Sequence, residues 1–292
     1  MRVACAQWPI AAPADFAGHA ARLQREVGAV AAQGAALAVF PEYLALELAG
    51  SFADECRRDF AASLAALQPL YADWQALFAG LARDSGVHVL AGTFLLRQAN
   101  GRYRNRAELF APDGRRWFQD KLTLTGFEHA SGVIERGDRL QVFDTALGRL
   151  AVNVCYDCEF PLYARRQYEA GARLLLVPSC TDTPAGATRV RVGCAARALE
   201  NQIHVVQSVT AGDAAWSPAL DTNTGIAAVF APSDRGLPDD GIVAQAQPGT
   251  LWSYADVDAD ALARVRRDGQ VANAADWDAQ LRPDVAAAAV VR

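Results

Sequence analysis

Residues 149–178 read RLAVNVCYDCEFPLYARRQYEAGARLLLVP, and their pattern indicates the fold class. Its first part, 149–156, is dominated by apolar residues and predicts a strand. The segment 160–170 predicts a helix that ends at Gly171, because glycine is favoured directly after a helix C-terminus. A near-continuous apolar strand follows at 173–177. Fully apolar strands separated by a helix are typical of a sheet that is covered by helices.

The same alternation of short apolar runs and longer helical patterns extends through most of the chain. Further strands are predicted at 3–8, 36–40, 87–94, 105–111, 116–119, 141–144, 203–209, 226–230, 242–245 and 251–257. Further helices are predicted at 16–32, at 188–202 and, as one or two helices, within 54–82. Pro112-Asp113-Gly114 predicts a hairpin turn, so some strands pair antiparallel. We therefore expect an α/β or α+β fold with two packed sheets in one domain.

Composition narrows the classes of partner and compartment. The 292 residues are 52% hydrophobic and 21% charged, which is enough for a large core. A net charge of −5 without a basic tract argues against nucleic acid and anionic membranes as partners. The first residues have no charged leader followed by an apolar run, so we expect no signal peptide. The six scattered cysteines favour reduced thiols in a cytoplasm over a disulfide framework.

One residue stands out in the charge pattern. The 28 basic residues are 27 arginines and a single lysine, Lys121. Arginine can serve surface charge and solubility, whereas lysine is a compact ammonium whose position and pKa can be tuned. A lone lysine in the middle of the chain therefore indicates a site that needs a point cation, although chance survival in a biased gene is the alternative.

Three segments place chemically active residues after predicted strands. Glu42 follows Val39-Phe40-Pro41, Lys121 follows the strand 116–119, and Cys155 lies at the end of the strand 149–156. Functional residues of α/β folds gather beyond the carboxyl ends of strands. A thiol beside a cation and a carboxylate forms a nucleophile, an oxyanion stabiliser and a base. This chemistry needs no histidine and no cofactor.

The same cysteines also fit other interpretations. A cysteine at the end of an apolar strand is commonly an inert core residue. The pair Cys155-x-x-Cys158 is also the spacing of half a zinc site or of a redox dithiol. Zinc needs a second ligand pair, which the sequence does not supply, so we expect no metal. We interpret Cys158 as a packing residue. In the loop after Lys121, Glu128 is the candidate second acid and Glu135 is its rival.

At this point the residues carry a family resemblance. Phe40-Pro41-Glu42-Tyr43, the Lys121…Glu128 loop and the run from Cys155 to Pro161 resemble the three signatures of the carbon–nitrogen hydrolase (nitrilase) superfamily. The opening Val3-Ala4-Cys5-Ala6-Gln7 is similar to its first strand, and residues 197–202 resemble its late helix motif. Each motif is weak alone. Their order and spacing over about residues 1–260 make the resemblance specific.

The resemblance implies a fold, a mechanism and an assembly. The fold is a four-layer α-β-β-α sandwich over residues 1–260. Independently of the resemblance, residues 261–292 are rich in Ala, Asp and Arg, which indicates a tail that docks on the core or on a partner subunit. The catalytic residues are Glu42, Lys121 and Cys155, with Glu128 beside them. The reaction is hydrolysis of a small amide or carbamoyl compound through a Cys thioester. Family members commonly form homodimers or larger homo-oligomers.

The resemblance also points to three substrate-binding residues. The backbone N–H of Tyr156 is expected to hold the oxyanion, and Cys180 to line the pocket. Many family members carry arginine where this chain has Glu159, which disfavours an α-carboxylate substrate and favours a neutral or cationic one. Nitrile hydrolysis or acyl transfer on the same machinery, a catalytically retired binding subunit and a Cys155–Cys158 redox protein remain as alternatives.

Overall fold

The computed structural model of the protein describes residues 1–291, and its strands follow the predicted order. They are β1 (Arg2–Pro9), β2 (Leu37–Val39), β3 (His88–Arg97), β4 (Tyr103–Phe110), β5 (Arg116–Asp120), β6 (Val142–Thr145), β7 (Gly148–Val152), β8 (Leu174–Ser179), β9 (His204–Asp213), β10 (Thr222–Asn223), β11 (Ala228–Phe230), β12 (Ile242–Gln245) and β13 (Trp252–Asp256).

Helices fill most of the connections between these strands. The α-helices are α1 (Phe16–Ala32), α2 (Asp54–Arg58), α3 (Phe60–Leu67), α4 (Tyr71–Ser85), α5 (Gly126–Ala130), α6 (Pro161–Glu169), α7 (Pro184–Asn201), α8 (Ala259–Asp268) and α9 (Asn273–Asp276). Short 3-10 segments lie at Leu44–Ser51, Gln68–Leu70, Cys155–Glu159, Trp277–Leu281 and Pro283–Val285.

Strand β1 joins two halves of one hydrogen-bonded path with the order β5-β4-β3-β2-β1-β9-β8-β7-β6. Its first half pairs parallel with β2, and its last residues pair parallel with β9. The pairs β2–β3, β7–β8 and β8–β9 are also parallel, whereas β4 and β5 add antiparallel hairpins. As a result β2, β5, β7 and β8 all end at the same edge.

Buried side chains define the layers. One core cluster joins Val3 and Leu37 of the first half to Leu150 and Leu174 of the second, so the two halves pack face to face. A second cluster joins the other face of the first half, including Trp8, to residues of α1 and α4. Helix α7 contributes buried residues to the first cluster over the second half. This is a four-layer α-β-β-α sandwich, as predicted.

Element ends differ from the predictions in a few places. The strand predicted at 149–156 ends at Val152, because the chain turns into a 3-10 segment at Cys155, where φ is +50°. The strand predicted at 173–177 continues to Ser179. Pro178 is accommodated there, because β7 no longer pairs beyond Leu176 and the edge of β8 needs no N–H donor at that point.

The C-terminal residues contact the rest of the chain through helices α8 and α9. Leu262 and Val265 of α8 are buried. The backbone of Ala274 accepts a hydrogen bond from Arg165 and donates one to the side chain of Gln202. Beyond these contacts Val290 and Val291 are almost fully exposed. The division at residue 260 falls within α8, and the separate tail domain stays a prediction.

Candidate active site

The edge where β2, β5, β7 and β8 end carries a cluster of ionisable side chains. Glu42 follows β2, Lys121 follows β5, Cys155 follows β7 and Cys180 follows β8. Together with Glu128 of α5, these residues come from five separate segments. The structure therefore brings together all four residues predicted to be catalytic, and each is at most 3% exposed.

The path of the chain around Glu42 depends on a close backbone approach. Gly92 of β3 has a φ of +66°, and a Cβ atom there would lie 2.1 Å from the carbonyl oxygen of Pro41. Glycine is thus required for β3 to pass beside Pro41. Tyr43 has a φ of +62°, and its N–H donates to Thr93 Oγ1 at 2.7 Å. These contacts fix the backbone on both sides of the Glu42 carboxylate.

Lys121 bridges two buried carboxylates. Its Nζ lies 2.8 Å from Glu42 Oε1 and 2.8 Å from Glu128 Oε2. Burial alone would lower the pKa of Lys121, but the charges of Glu128 and Glu42 outweigh this effect and raise the pKa well above its usual value. The ammonium is therefore charged across the physiological range, and its position is set from two sides.

Glu128 is held by the first turn of α5. Thr125 Oγ1 accepts from the Glu128 N–H, and Thr125 N donates back to Glu128 Oε2 at 2.9 Å, which forms a capping box. Tyr43 Oη donates to the other carboxylate oxygen at 2.9 Å. Burial would raise the pKa of Glu128, but Lys121 and these hydrogen bonds lower it. Glu128 is therefore a fixed anion.

Cys155 sits at the sharp turn after β7 and is 3% exposed. Its Sγ donates to the carbonyl oxygen of Cys180 at 3.5 Å, while the Cys180 N–H donates to Glu42 Oε2 at 3.0 Å. The thiol and the carboxylate thus contact the same residue. A positive φ at a residue with a side chain is strained, and such strain concentrates at functional positions.

The protonation states of Glu42 and Cys155 respond to each other. Burial raises the pKa of Glu42, Lys121 lowers it and Glu128 raises it, with a net upward shift. Burial and the charge of Glu42 raise the pKa of the Cys155 thiol well above its usual value, and Lys121 counteracts them. The resting site therefore holds a neutral thiol beside a carboxylate whose affinity for a proton is increased, which suits a base.

A cavity of about 270 Å³ opens onto this cluster. Glu42, Lys121 and Cys155 line its floor, and the three residues predicted to bind substrate, Tyr156, Glu159 and Cys180, also line it. Glu159 Oε1 lies 3.6 Å from Arg189 Nε of α7, which sequence reasoning did not associate with the site. The cavity is large enough for a small organic molecule.

Asn105 of β4 is a site residue that sequence reasoning missed. Its Nδ2 donates to Glu42 Oε1 at 2.7 Å and to Glu128 Oε1 at 3.2 Å. Its backbone carbonyl oxygen accepts a hydrogen bond from the backbone N–H of Lys121. Nothing in the sequence marks it, because a polar residue within a strand usually faces solvent. The rival acid Glu135 instead forms an ion pair with Arg104.

The Cys158 side chain packs against helix α7. Its Sγ donates to the Val190 carbonyl oxygen at 3.5 Å and lies 4.0 Å from the Cys194 Sγ, and its side chain is fully buried. The prediction that Cys158 is a packing residue is confirmed. Among residues 1–291, no group of three or more His, Cys, Asp or Glu side chains has the arrangement of a metal site.

Comparison with known proteins decides the family. The model of the family described as carbon-nitrogen hydrolase matches residues 2–267. The chain belongs to the carbon–nitrogen hydrolase family. The resemblance inferred from the motifs is therefore confirmed. Over the part of the chain that the structure describes, no helix combines the length and the apolar character needed to cross a membrane.

Individual relatives agree with this assignment. The chain is 36% identical over 235 residues to the probable hydrolase YhcX of Bacillus subtilis, which covers 80% of this chain and 45% of YhcX. It is 27% identical over 145 residues to the omega-amidase NIT2-B of Xenopus laevis, covering 47% of this chain and 52% of that protein. The matched region thus spans about half the length of each of these two relatives.

Solved structures of the family share the fold. A mutant of the amidase from Nesterenkonia sp. AN1, in which acrylamide has added to the active-site cysteine, superposes with a TM-score of 0.65 at 23% identity. The alignment covers 92% of this chain and 97% of the amidase. At this level of identity the likeness establishes the sandwich architecture.

Proposed function

We propose that this protein hydrolyses a non-peptide carbon–nitrogen bond of a small amide or carbamoyl compound through a thioester on Cys155. One observation carries the proposal: Lys121 Nζ bridges Glu42 and Glu128 at 2.8 Å each, at the floor of a cavity that Cys155 also lines. A nucleophile, a base and a cation in one small cavity are the parts that acyl transfer needs. Family membership and an amidase among the structural neighbours support the proposal.

In the first half-reaction, Glu42 accepts the proton of the Cys155 thiol, and the thiolate attacks the carbonyl carbon. The Lys121 ammonium and the backbone N–H of Tyr156 stabilise the oxyanion. The carbon–nitrogen bond then breaks, and Glu42 returns the proton to the leaving nitrogen. Ammonia or an amine departs, and the acyl group remains on Cys155 as a thioester. Glu128 acts on this step by holding Lys121 in place.

In the second half-reaction, Glu42 removes a proton from water, which attacks the thioester carbon. The carbon–sulfur bond breaks, the carboxylic acid leaves, and Cys155 regains its proton. The raised pKa of Glu42 favours proton transfer from the thiol and from water, because it increases the affinity of the carboxylate for a proton. A binding subunit that has lost catalysis would not need Lys121 paired with Glu42 and Glu128 beside a cysteine.

The walls of the cavity favour a substrate without a carboxylate. Outside the floor, its charged lining residues are Glu159, Asp182, Asp221 and Arg189. Arg189 is paired with Glu159, which leaves the other two acids without a cationic partner among the ion pairs of the described chain. A substrate anion would be repelled there, whereas a neutral or amine-bearing acyl group would not.

We also propose that the protein acts in the cytoplasm as a homodimer or a larger homo-oligomer. Support for the assembly comes from apolar side chains on the outer surfaces of α6 and α7. Leu162 is 60% exposed, Val192 is 61% exposed and Leu199 is 42% exposed. An apolar surface of this kind is costly to leave in water, and a twofold contact would cover it on both subunits at once.

The proposed function is tested with Cys155→Ser and a panel of small amides, carbamoyl compounds and nitriles. Ammonia release is measured for the wild type and the variant, and circular dichroism verifies that the variant is folded. A serine hydroxyl has no base strong enough here, so turnover is expected to fall by more than ~10³-fold. Activity within about tenfold of wild type would show that Cys155 is not the nucleophile, since tenfold is only ~1.4 kcal/mol of barrier.

A further inference from the structure

Asp157 is a buried carboxylate that the proposed reaction does not use. It lies in the 3-10 segment two residues after Cys155, is 1% exposed and does not line the cavity. Burying a carboxylate costs free energy unless hydrogen bonds compensate for the lost hydration. Its contacts therefore indicate what the charge does in the folded protein.

The Asp157 carboxylate accepts hydrogen bonds from two separate segments. From the lysine loop, Leu122 N donates to Oδ2 at 3.0 Å and Thr123 N donates to Oδ1 at 2.8 Å. From the nucleophile turn, Val154 N donates to Oδ2 at 3.3 Å. These donors directly follow Lys121 and directly precede Cys155. One side chain thus connects the backbone beside the cation to the backbone beside the thiol.

All of these partners are N–H donors, so the contact requires an acceptor on both oxygens. Burial raises the pKa of Asp157, whereas the hydrogen bonds from Leu122, Thr123 and Val154 and the Lys121 charge lower it, and the net effect is a rise to about 7. An asparagine in the same place would direct its NH₂ group towards at least one backbone N–H. The loop and the turn would then separate or rotate.

We propose that Asp157 is a positioning residue that sets the distance between the Lys121 ammonium and the Cys155 thiol by holding their two backbone segments on one carboxylate. The role rests on the function proposed above and acts through Lys121 and Cys155. Displacing a reacting group by about 1 Å can cost ~10²-fold in rate, so a clamp of this kind affects turnover more than substrate binding.

The test compares Asp157→Asn with a matched control, Asp234→Asn. Asp234 is 8% exposed and also accepts backbone hydrogen bonds, from Arg235 N at 2.6 Å and Gln270 N at 2.8 Å, away from the cavity. Both variants lose the same kind of contact, so a purely structural effect would lower both melting temperatures and leave kcat per folded molecule unchanged. We expect Asp157→Asn to lower kcat by ~10–100-fold with KM within about threefold.

A second readout needs no substrate. The rate at which iodoacetamide alkylates Cys155, followed by peptide mass spectrometry, is expected to fall in Asp157→Asn and to stay at the wild-type value in Asp234→Asn. Hydrogen exchange at Leu122, Thr123 and Val154 should accelerate in the first variant. A wild type that hydrolyses no amide would count against the proposed function, whereas the alkylation and exchange results would still decide the role of Asp157.

The proposal is overturned if Asp157→Asn retains wild-type kcat and alkylation, or if its loss per folded molecule equals that of Asp234→Asn. Should the asparagine variant not fold, Asp157→Glu gives the same test, because its longer stem shifts the carboxylate relative to Val154. A fall in kcat of at least about tenfold with KM within about threefold would then support the positioning role of Asp157. Unchanged kcat in Asp157→Glu would overturn it.

Discussion

Lys121→Arg is the substitution that separates a requirement for position from a requirement for charge. It keeps one positive charge, yet Lys121 Nζ contacts Glu42 and Glu128 at 2.8 Å each from a position that is 1% exposed. A guanidinium is planar and wider than an ammonium, so it cannot occupy the same point between the two carboxylates. It must displace a carboxylate or extend into the cavity.

Two effects set the expected losses of stability and of kcat in Lys121→Arg. Overpacking a buried site costs ~1–3 kcal/mol, which lowers stability. Losing one preorganised donor to the oxyanion costs ~10²–10³-fold in kcat. We therefore expect Lys121→Arg to lower kcat by ~10²–10³-fold, almost as much as Lys121→Ala. The alanine variant should be the less stable of the two, because breaking a buried ion pair costs ~3–5 kcal/mol.

The assay is ammonia release under saturating amide, normalised to folded protein by circular dichroism. Arg83→Lys is the control, because Arg83 forms an exposed ion pair with Asp84 and an exchange there should leave kcat unchanged. A kcat for Lys121→Arg within about tenfold of wild type would refute the reasoning and assign the oxyanion to backbone donors.

Three further predictions concern the base, the substrate and the assembly. Glu42→Gln should block acylation and deacylation together, measured by rapid quench; a burst of product followed by a stalled acyl-enzyme would confine Glu42 to the second step. Among amides of equal size, kcat/KM should be lowest for the one bearing a carboxylate, and Glu159→Arg should raise its kcat/KM relative to the neutral amide; an unchanged ratio would remove Glu159 from substrate selection. Sedimentation at micromolar concentration should give at least a dimer that Leu162→Asp weakens, and a 31.2 kDa species alone would contradict the assembly.

Much of the fold followed from local patterns in the sequence. Apolar runs of strand length and the C-terminal glycine of α6 placed most elements within a few residues. The predicted strand 149–156 is longer than the observed one, which ends at Val152. The apolar residue Val154 extends the strand pattern, whereas the turn depends on the φ of +50° at Cys155. The path of Pro41 past Gly92 is a tertiary contact, and no local pattern predicts it.

The residues of the candidate site also fall into two groups, those that local sequence predicts and those that only tertiary contacts reveal. Glu42, Lys121 and Cys155 were predictable, because each follows a strand and stands in a motif of known order. Asn105 and Arg189 were not, since the first is a polar residue inside a strand and the second is one of many arginines on a helix. Their roles depend on which side chains the fold brings within hydrogen-bond distance. Such distances arise from packing between elements that are far apart in the chain.

Intact mass spectrometry shows whether Cys155 carries the acyl group during turnover. The wild-type enzyme is quenched in acid during turnover of each small amide and mapped by peptide. We expect a mass increase equal to the acyl group minus one hydrogen, located on Cys155 and absent from Cys155→Ala. Turnover with no adduct on Cys155, or an adduct on another cysteine, would contradict it.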